Sequence, residues 1–207
     1  DYIGNVPFVS SPGVIQSLKE IVDSRKIDAI FPAMDLVNSI LKDNEAQIGC
    51  KIVGSCKETV NICVSKSRTY NILSSLIRVP KLLDPNHIDR FPVFSKPDIG
   101  YGSRNTQIIG NGKLLQENRR EFPNNIICEY LPGDEYTVDC FTDKYHNLRV
   151  CIPRERSRIE NGISTNTKIV SENIDEFKNL AIKINDVLEL RGAWFFQVKR
   201  DENSELC

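Results

Sequence analysis

Lys96 ends a short apolar stretch and is followed by a loop that contains Gly100, Gly102 and Ser103. A lysine carries a compact positive charge with three donors, and glycines let backbone N–H groups come close to an anion. The pattern therefore predicts a phosphate-binding site. The alternative is that the glycines only form a turn and that Lys96 is solvated, because short glycine motifs often arise by chance.

Two better-known phosphate loops do not fit this segment. The chain contains no G-x-x-x-x-G-K-[ST] sequence, and Asn105 occupies the place of the third glycine in a G-x-G-x-x-G motif. The residues after the loop read as a second strand rather than a helix. We therefore expect the glycine loop to be the tip of a hairpin that can close over a nucleotide.

Two acidic residues flank a Leu-Pro-Gly connection between two predicted strands. Glu129 precedes this connection and Glu135 follows it. Backbone groups beside an apolar slot can hold an adenine, and a carboxylate can accept hydrogen bonds from a ribose. The alternative is a hairpin whose acids face water, since Asp and Glu are mostly exposed.

Arg154, Arg156 and Arg158 occupy alternate positions, which in a strand places them on one face. Three like charges repel unless an anion lies between them, and arginine binds phosphate or carboxylate through paired hydrogen bonds. The alternative is that Glu155 and Glu160 neutralise a solvated edge.

The elements that must position these residues change character along the chain. Up to about residue 54, helical and strand-like stretches alternate, which predicts a parallel sheet in a doubly wound layer. A helix from about residue 66 is followed mainly by strands, with one long amphipathic helix over about residues 173–188. The strands predicted in this part cover residues 92–96, 106–109, 126–130, 135–141, 148–153, 165–170 and 193–198. A domain boundary is expected between residues 54 and 66.

Composition argues against several classes of protein. The chain has 207 residues, of which 40% are hydrophobic and 27% charged, as in ordinary globular proteins. Its net charge of −1 argues against broad nucleic-acid binding, and no apolar run is long enough to cross a membrane. The seven cysteines form no C-x-x-C pair, which argues against a thiolate metal site. Most lie in apolar stretches, which fits a reduced, cytoplasmic setting.

The order of these motifs resembles the ATP-grasp superfamily, and most closely its branch near the carbamoyl-phosphate synthase large subunit and the carboxylate–amine ligases. The motifs that carry the resemblance are DAIFPAMD from Asp28, SKSRTY from Ser65, FSKP from Phe94, the glycine loop, CEYLPGDEYTVD from Cys128, the arginine strand and GAWFFQV from Gly192. A fixed order of several motifs is far less prone to chance agreement than any one of them.

The resemblance implies a fold that combines α/β and α+β parts. Residues 1–64 would form a Rossmann-like pre-ATP-grasp domain, and residues 65–207 an incomplete ATP-grasp domain. Residues 201–207 read as the turn of a hairpin whose second strand is missing, so we expect the chain to be part of a longer protein.

The resemblance also implies a ligase that uses ATP and Mg²⁺ to activate a carboxylate as an acyl phosphate, which an amine or similar nucleophile attacks. The expected partners are small-molecule carboxylate and amine substrates, with no nucleic acid and no membrane. The alternative is a non-catalytic nucleotide-sensing or partner-binding module, since a fold does not fix a function.

Site residues follow from the same resemblance. The implied nucleotide-binding residues, which would hold phosphates, adenine and ribose, are Lys66, Lys96, Gly100, Gly102, Ser103, Glu129, Tyr130, Leu131 and Glu135. Arg154 and Arg156 would be catalytic, because they would steady the transferred phosphate. Gln197 would face Mg²⁺, while the principal metal ligands, a Glu-x-Asn pair, are expected just after residue 207. Without those ligands, we expect this chain to bind nucleotide weakly and to be inactive.

Overall fold

The computed structural model of the chain describes residues 2–100, 102–160 and 163–207. Within these residues there are three β-sheets, and no helix is long and apolar enough to cross a membrane. The helices are α1 (Val14–Arg25), α2 (Asp35–Asp43), α3 (Glu45–Ile48), α4 (Lys57–Val64), α5 (Lys66–Leu73), α6 (Gly112–Glu121) and α7 (Ile174–Leu188). The strands are β1 (Ala29–Ile30), β2 (Lys51–Ile52), β3 (Val93–Pro97), β4 (Gln107–Ile109), β5 (Asn125–Glu129), β6 (Glu135–Thr142), β7 (Leu148–Glu160), β8 (Ile163–Ile169) and β9 (Gly192–Lys199).

The N-terminal region contains a parallel strand pair between helices. β1 and β2 pair in parallel with Ala29 opposite Lys51, which confirms the arrangement predicted from alternating helices and strands. Ile48 and Ile52 are fully buried here, and apolar side chains of α1 and α2 pack around them. This cluster is separate from the clusters of buried residues under the other sheets.

The segment between residues 54 and 66, where the domain boundary was predicted, is mostly helix α4. This helix packs against α2 and α5. Thr59 of α4 donates a hydrogen bond to the Leu188 carbonyl at the end of α7, and Ser55 accepts one from the Arg191 N–H at 3.0 Å. These bonds join the N-terminal region to the connection between α7 and β9.

The three-stranded sheet is antiparallel, in the order β4-β3-β5, and its strands agree with the predicted ones to within a residue. Helix α6 was not predicted, because its sequence is mostly polar. It forms because Asn111 caps its first turn, accepting a hydrogen bond from the Leu114 N–H at 3.0 Å. Leu115 and Asn118 then bury against the sheet, where Asn118 accepts a hydrogen bond from Ser95 at 2.7 Å.

The four-stranded sheet is antiparallel, in the order β8-β7-β6-β9. Helix α7 covers one face, where Val138 and Phe177 are buried. On the opposite face, Thr137 of β6 lies across from both Arg154 of β7 and Gln197 of β9. Directly opposed residues share a face, and side chains along a strand point alternately to the two faces of the sheet. Glu135 and Asp139 lie two residues from Thr137 on β6, so they also point away from α7.

Candidate functional site

Lys66 and Lys96 are far apart in the sequence and come together in the structure. The Lys96 Nζ donates a hydrogen bond to the Tyr70 hydroxyl at 2.6 Å. Burial would lower the pKa of Lys96, but Tyr70 and Cys128 beside it leave that pKa above its ordinary value. Burial, and then the charge of Lys96, lowers the pKa of Lys66. Two ammonium groups close enough to repel each other mark a place where an anion is stabilised.

Asp98, which the sequence analysis did not single out, fixes the position of Lys66. Its carboxylate accepts hydrogen bonds from the Ser65 hydroxyl and the Ser67 N–H, both at 2.7 Å. The Lys66 N–H and Nζ each donate to the Asp98 carbonyl at 3.1 Å. The first turn of α5 is thereby tied to the loop after β3, which is why a helix lysine and a strand lysine meet.

The glycine loop joins the antiparallel strands β3 and β4, which confirms that it is a hairpin tip. Gly102 and Ser103 have left-handed φ values of 69° and 49°. Glycine adopts this conformation without steric cost, which explains its presence at position 102. The Gly100 carbonyl accepts a hydrogen bond from Lys66 Nζ at 3.1 Å. Tyr101, which the sequence places in the same loop, lies outside the described residues.

An apolar surface extends from Lys96 across the three-stranded sheet. Phe94 lies opposite Ile108 of β4 and Cys128 of β5, so these three side chains share the face that carries Lys96. Ile108 is 52% exposed, whereas Cys128 is 1% exposed. We call Phe94, Ile108 and Cys128 the apolar slot, since a planar base needs a surface of this kind.

The connection between β5 and β6 is fastened to the end of β9. The Gly133 N–H donates to the Arg200 carbonyl at 3.0 Å, and the Arg200 N–H donates to the Asp134 carbonyl at 2.9 Å. Tyr130 and Leu131 lie in this fastened connection, directly after β5. A backbone segment that is fixed at both ends is suited to recognising the edge of a base.

The Glu129 carboxylate is held by Arg78, a residue that the sequence analysis did not single out. Nη1 and Nη2 of Arg78 donate to its two oxygens at 2.6 and 2.7 Å, and the Lys81 N–H donates at 2.6 Å. The bonds from Arg78, more than any other cause, lower the pKa of Glu129. Arg78 also lies 3.6 Å from the buried Asp201 carboxylate, so one guanidinium links the end of β5 to the turn after β9.

Arg78→Met is expected to lower the free energy of unfolding by about 1–3 kcal/mol near neutral pH, because two carboxylates lose their partner. The pKa of Glu129 is lowered in the folded state. The contribution of Glu129 to the free energy of unfolding is therefore fully present at pH values above its ordinary pKa of 4.5. It is lost as the pH falls through the lowered pKa of the folded state. Urea unfolding of both proteins across this pH range measures the difference. The control Arg90→Met removes the exposed Arg90–Glu202 pair and should cost less than about 0.5 kcal/mol. Equal losses in the two variants would contradict a stabilising role for Arg78.

Arg154 and Arg156 are each paired with a carboxylate of β6. Arg154 donates to Asp139 through Nε and Nη2, and this pairing raises the pKa of Arg154. The Arg156 guanidinium is buried and donates to Glu135. An anion at this face must therefore compete with Asp139 and Glu135 for the two arginines.

Arg158 leaves the face that Arg154 occupies. Arg154 lies opposite Ile169 and Arg158 opposite Asn166, three positions further along β8, because β7 contains an extra residue at a bulge. The expectation that three arginines share one face is therefore wrong for Arg158. Its side chain is exposed and pairs with Glu160 at 2.6 Å, as the alternative reading of this strand anticipated.

Comparison with known proteins gives related findings. The family described as "ATP-grasp in the biosynthetic pathway with Ter operon" matches residues 121–207. A D-alanine–D-alanine ligase of Fusobacterium nucleatum is 27% identical over an alignment of 156 residues, and the match covers 70% of this chain and 54% of the ligase. The biotin carboxylase domain of Hydrogenobacter thermophilus 2-oxoglutarate carboxylase, solved with MgADP, ADP and bicarbonate, has a similar fold, with a TM-score of 0.82 and 15% identity. The superposition covers 99% of this chain and 52% of the carboxylase chain. An L-amino acid ligase of Bacillus licheniformis is similar in fold over 100% of this chain and 56% of the ligase chain, with a TM-score of 0.78 and 14% identity.

The family match begins in α6 and includes the β5–β6 connection and the four-stranded sheet, and the fold agrees over nearly the whole chain. Together these findings support an ATP-grasp superfamily member. The expected combination of an α/β part and an α+β part is confirmed. The chain spans about half the length of the relatives that it matches.

The described residues offer few ligands for magnesium. Mg²⁺ takes oxygen ligands in octahedral geometry, usually from one or two carboxylates together with substrate phosphates. Gln197 is exposed on the face with Glu135 and Asp139, but those two carboxylates are bound to arginines. Over the described ranges, no three His, Cys, Asp or Glu residues are grouped so as to hold a metal. These residues alone therefore do not form a magnesium site.

Proposed function

We propose that this chain is the nucleotide-binding part of an ATP-grasp ligase that phosphorylates a carboxylate with ATP. The observation that carries the proposal is the convergence of Lys66 and Lys96 beside the apolar slot. A slot for a base that ends at two positive charges matches the shape and charge of a nucleotide triphosphate. We further propose residues 1–64 as the pre-ATP-grasp domain and residues 65–207 as part of the ATP-grasp domain.

The base fills the apolar slot and bonds to the backbone of Tyr130 and Leu131. Glu129 acts indirectly, because Arg78 and Lys81 hold its carboxylate and fix the strand end from which that backbone follows. Glu135 accepts from the ribose. The phosphates reach Lys66 and Lys96, and the loop of Gly100, Gly102 and Ser103 covers them.

In the reaction, an oxygen of the substrate carboxylate attacks the terminal phosphorus of ATP, and ADP leaves. An amine then attacks the acyl carbon, and inorganic phosphate leaves. Arg154 and Arg156 stabilise the charge that develops on the transferred group. To do so, they exchange their hydrogen bonds to Asp139 and Glu135 for bonds to that group. No protein nucleophile is needed, because positioning and charge stabilisation account for this chemistry. Mg²⁺, if carried in with ATP, would further neutralise the phosphates.

Calorimetric titration with a non-hydrolysable ATP analogue and Mg²⁺ tests the nucleotide site. We expect saturable binding that is weaker for the guanine analogue and about tenfold weaker in Lys66→Met, since one charged hydrogen bond is lost. The control Lys51→Met removes an exposed lysine of β2 and should bind like the unchanged chain. Absence of binding by either analogue would refute the site.

The reaction is tested on a longer protein that contains this chain. ADP release should depend on an added carboxylic acid, and hydroxylamine should trap the acyl phosphate as a hydroxamate. ADP release that is independent of any carboxylate would argue against the ligase reaction, even if nucleotide binding holds.

A second candidate is a nucleotide-binding module without ligase chemistry. It is favoured by the pairing of Arg154 and Arg156 with carboxylates and by the incomplete metal ligand set in the described residues. This candidate predicts tight nucleotide binding with no hydroxamate from any carboxylic acid. The titration and the trapping assay together therefore distinguish the two candidates.

A further inference from the structure

Cys140 of β6 and Cys151 of β7 lie directly opposite each other in the four-stranded sheet. Opposed residues in antiparallel strands have Cα atoms about 4.5–5.5 Å apart, and disulfides join Cα atoms about 4.4–6.8 Å apart. Both residues are free thiols, and the register of the two strands is regular at this position. We propose that this pair is a redox modification site, where a small organic disulfide drives formation of a Cys140–Cys151 bond in the folded protein.

The two thiols have different surroundings. Cys140 is 4% exposed and belongs to the buried cluster under α7, whereas Cys151 is partly exposed at the rim of that cluster. The hydrogen bond from Cys140, and then the charge of Lys178, lowers the pKa of Cys151, while the same contact raises the pKa of Cys140. Cys151 is therefore the attacking thiol and Cys140 the resolving thiol, because the thiolate is the nucleophile and needs access to the reagent.

The reaction takes two steps and consumes one molecule of the small disulfide. The Cys151 thiolate attacks one sulfur of the reagent, whose S–S bond breaks, and the leaving thiolate takes up a proton. Cys140 then loses its proton to water and attacks the Cys151 sulfur of the mixed disulfide, which releases the second small thiol. The protein loses two electrons and two protons, and one reagent disulfide becomes two thiols.

Other cysteines of the chain provide an internal comparison. Cys50 is also partly buried, but burial raises its pKa and no cysteine lies opposite it in the described strands. Cys56 and Cys63 are exposed, so they are open to the reagent without having a strand partner. These three thiols should form mixed disulfides at most, so none of them should appear in a linked peptide.

The test uses the folded chain in mixtures of reduced and oxidised glutathione, followed by alkylation of the remaining thiols and peptide mapping without reduction. As oxidised glutathione becomes dominant, we expect a linked Cys140–Cys151 peptide in most molecules, reversed by excess reduced glutathione. Circular dichroism before alkylation verifies that the protein stays folded. Recovery of both residues as alkylated thiols from folded protein at every mixture would overturn the proposal.

Two variants test the assigned order of attack. In Cys140→Ala, Cys151 should accumulate as a mixed disulfide with glutathione, because the resolving thiol is absent. In Cys151→Ala, Cys140 should stay reduced in folded protein, because it is buried. If Cys140→Ala does not fold, Cys151→Ala and the linked peptide of the unchanged chain still decide the matter. A Cys140 that readily forms a mixed disulfide in Cys151→Ala would contradict the proposed roles.

Discussion

Lys96→Met is expected to weaken binding of a non-hydrolysable ATP analogue by about 10- to 100-fold, because one charged hydrogen bond to phosphate is worth about 1.5–3 kcal/mol. Methionine keeps an unbranched apolar stem against the Phe94 and Tyr70 rings, which lie 5.9 and 5.1 Å from the lysine Nζ. The change removes the positive charge while largely preserving the volume of the side chain. Calorimetric titration of the two proteins measures the effect.

The control for this prediction is Lys113→Met. Lys113 is exposed on α6, in the same sheet-and-helix unit, and it belongs to neither the lysine pair nor the apolar slot. Its replacement should leave the affinity unchanged within error, while circular dichroism verifies the fold of both variants. Equal affinities for Lys96→Met and Lys113→Met would place the phosphates away from β3.

Gly133→Ala is expected to lower the free energy of unfolding by about 1–3 kcal/mol and to weaken nucleotide binding. A Cβ at this position would lie 2.7 Å from the Arg200 Cβ and 2.8 Å from its carbonyl oxygen. The backbone cannot relax freely, because the Gly133 N–H bonds to that same carbonyl at 3.0 Å. The methyl group must therefore push the β5–β6 connection away from β9. Urea unfolding and calorimetric titration measure the two consequences.

Gly110→Ala is the matched control for the glycine prediction. A Cβ at Gly110 has nothing within 4 Å, and this glycine is not among those with left-handed φ. Its replacement should change stability by less than about 0.5 kcal/mol. If Gly133→Ala and Gly110→Ala have the same stability and affinity, close contact between Gly133 and Arg200 does not fix the β5–β6 connection. The proposal that this connection positions the base would then be contradicted.

Most strands and the long helix α7 could be predicted because their signals are local. Alternating or continuous apolar residues produce a strand wherever the chain can bury them. In α7, buried residues such as Phe177, Ala181, Ile184 and Leu188 repeat with helical spacing. Helix α6 could not be predicted in this way. Its main stabilising contacts are the Asn111 cap and the bond between Ser95 and the buried Asn118, and the second of these requires the sheet to be in place.

The sequence also predicted that Lys66, Lys96 and the glycine loop belong to one phosphate site, but only through the order of motifs. Nothing in the local pattern indicates Asp98, whose carboxylate and carbonyl tie α5 to the loop after β3. The same holds for Arg78, which is separated from Glu129 by β3, β4 and α6. Hydrogen-bond partners of this kind depend on which chain segments the fold brings into contact.

By itself, the sequence determined the types of residue available for chemistry, the order of most strands and the resemblance to the ATP-grasp superfamily. Only the tertiary structure decided how the charges are paired. Arg154 and Arg156 meet Asp139 and Glu135 because β6 and β7 are neighbours in register, whereas a bulge turns Arg158 away to Glu160. Strand propensity acts over a few residues, but the Coulomb energy of an ion pair depends on distance in space, which the folded chain alone sets.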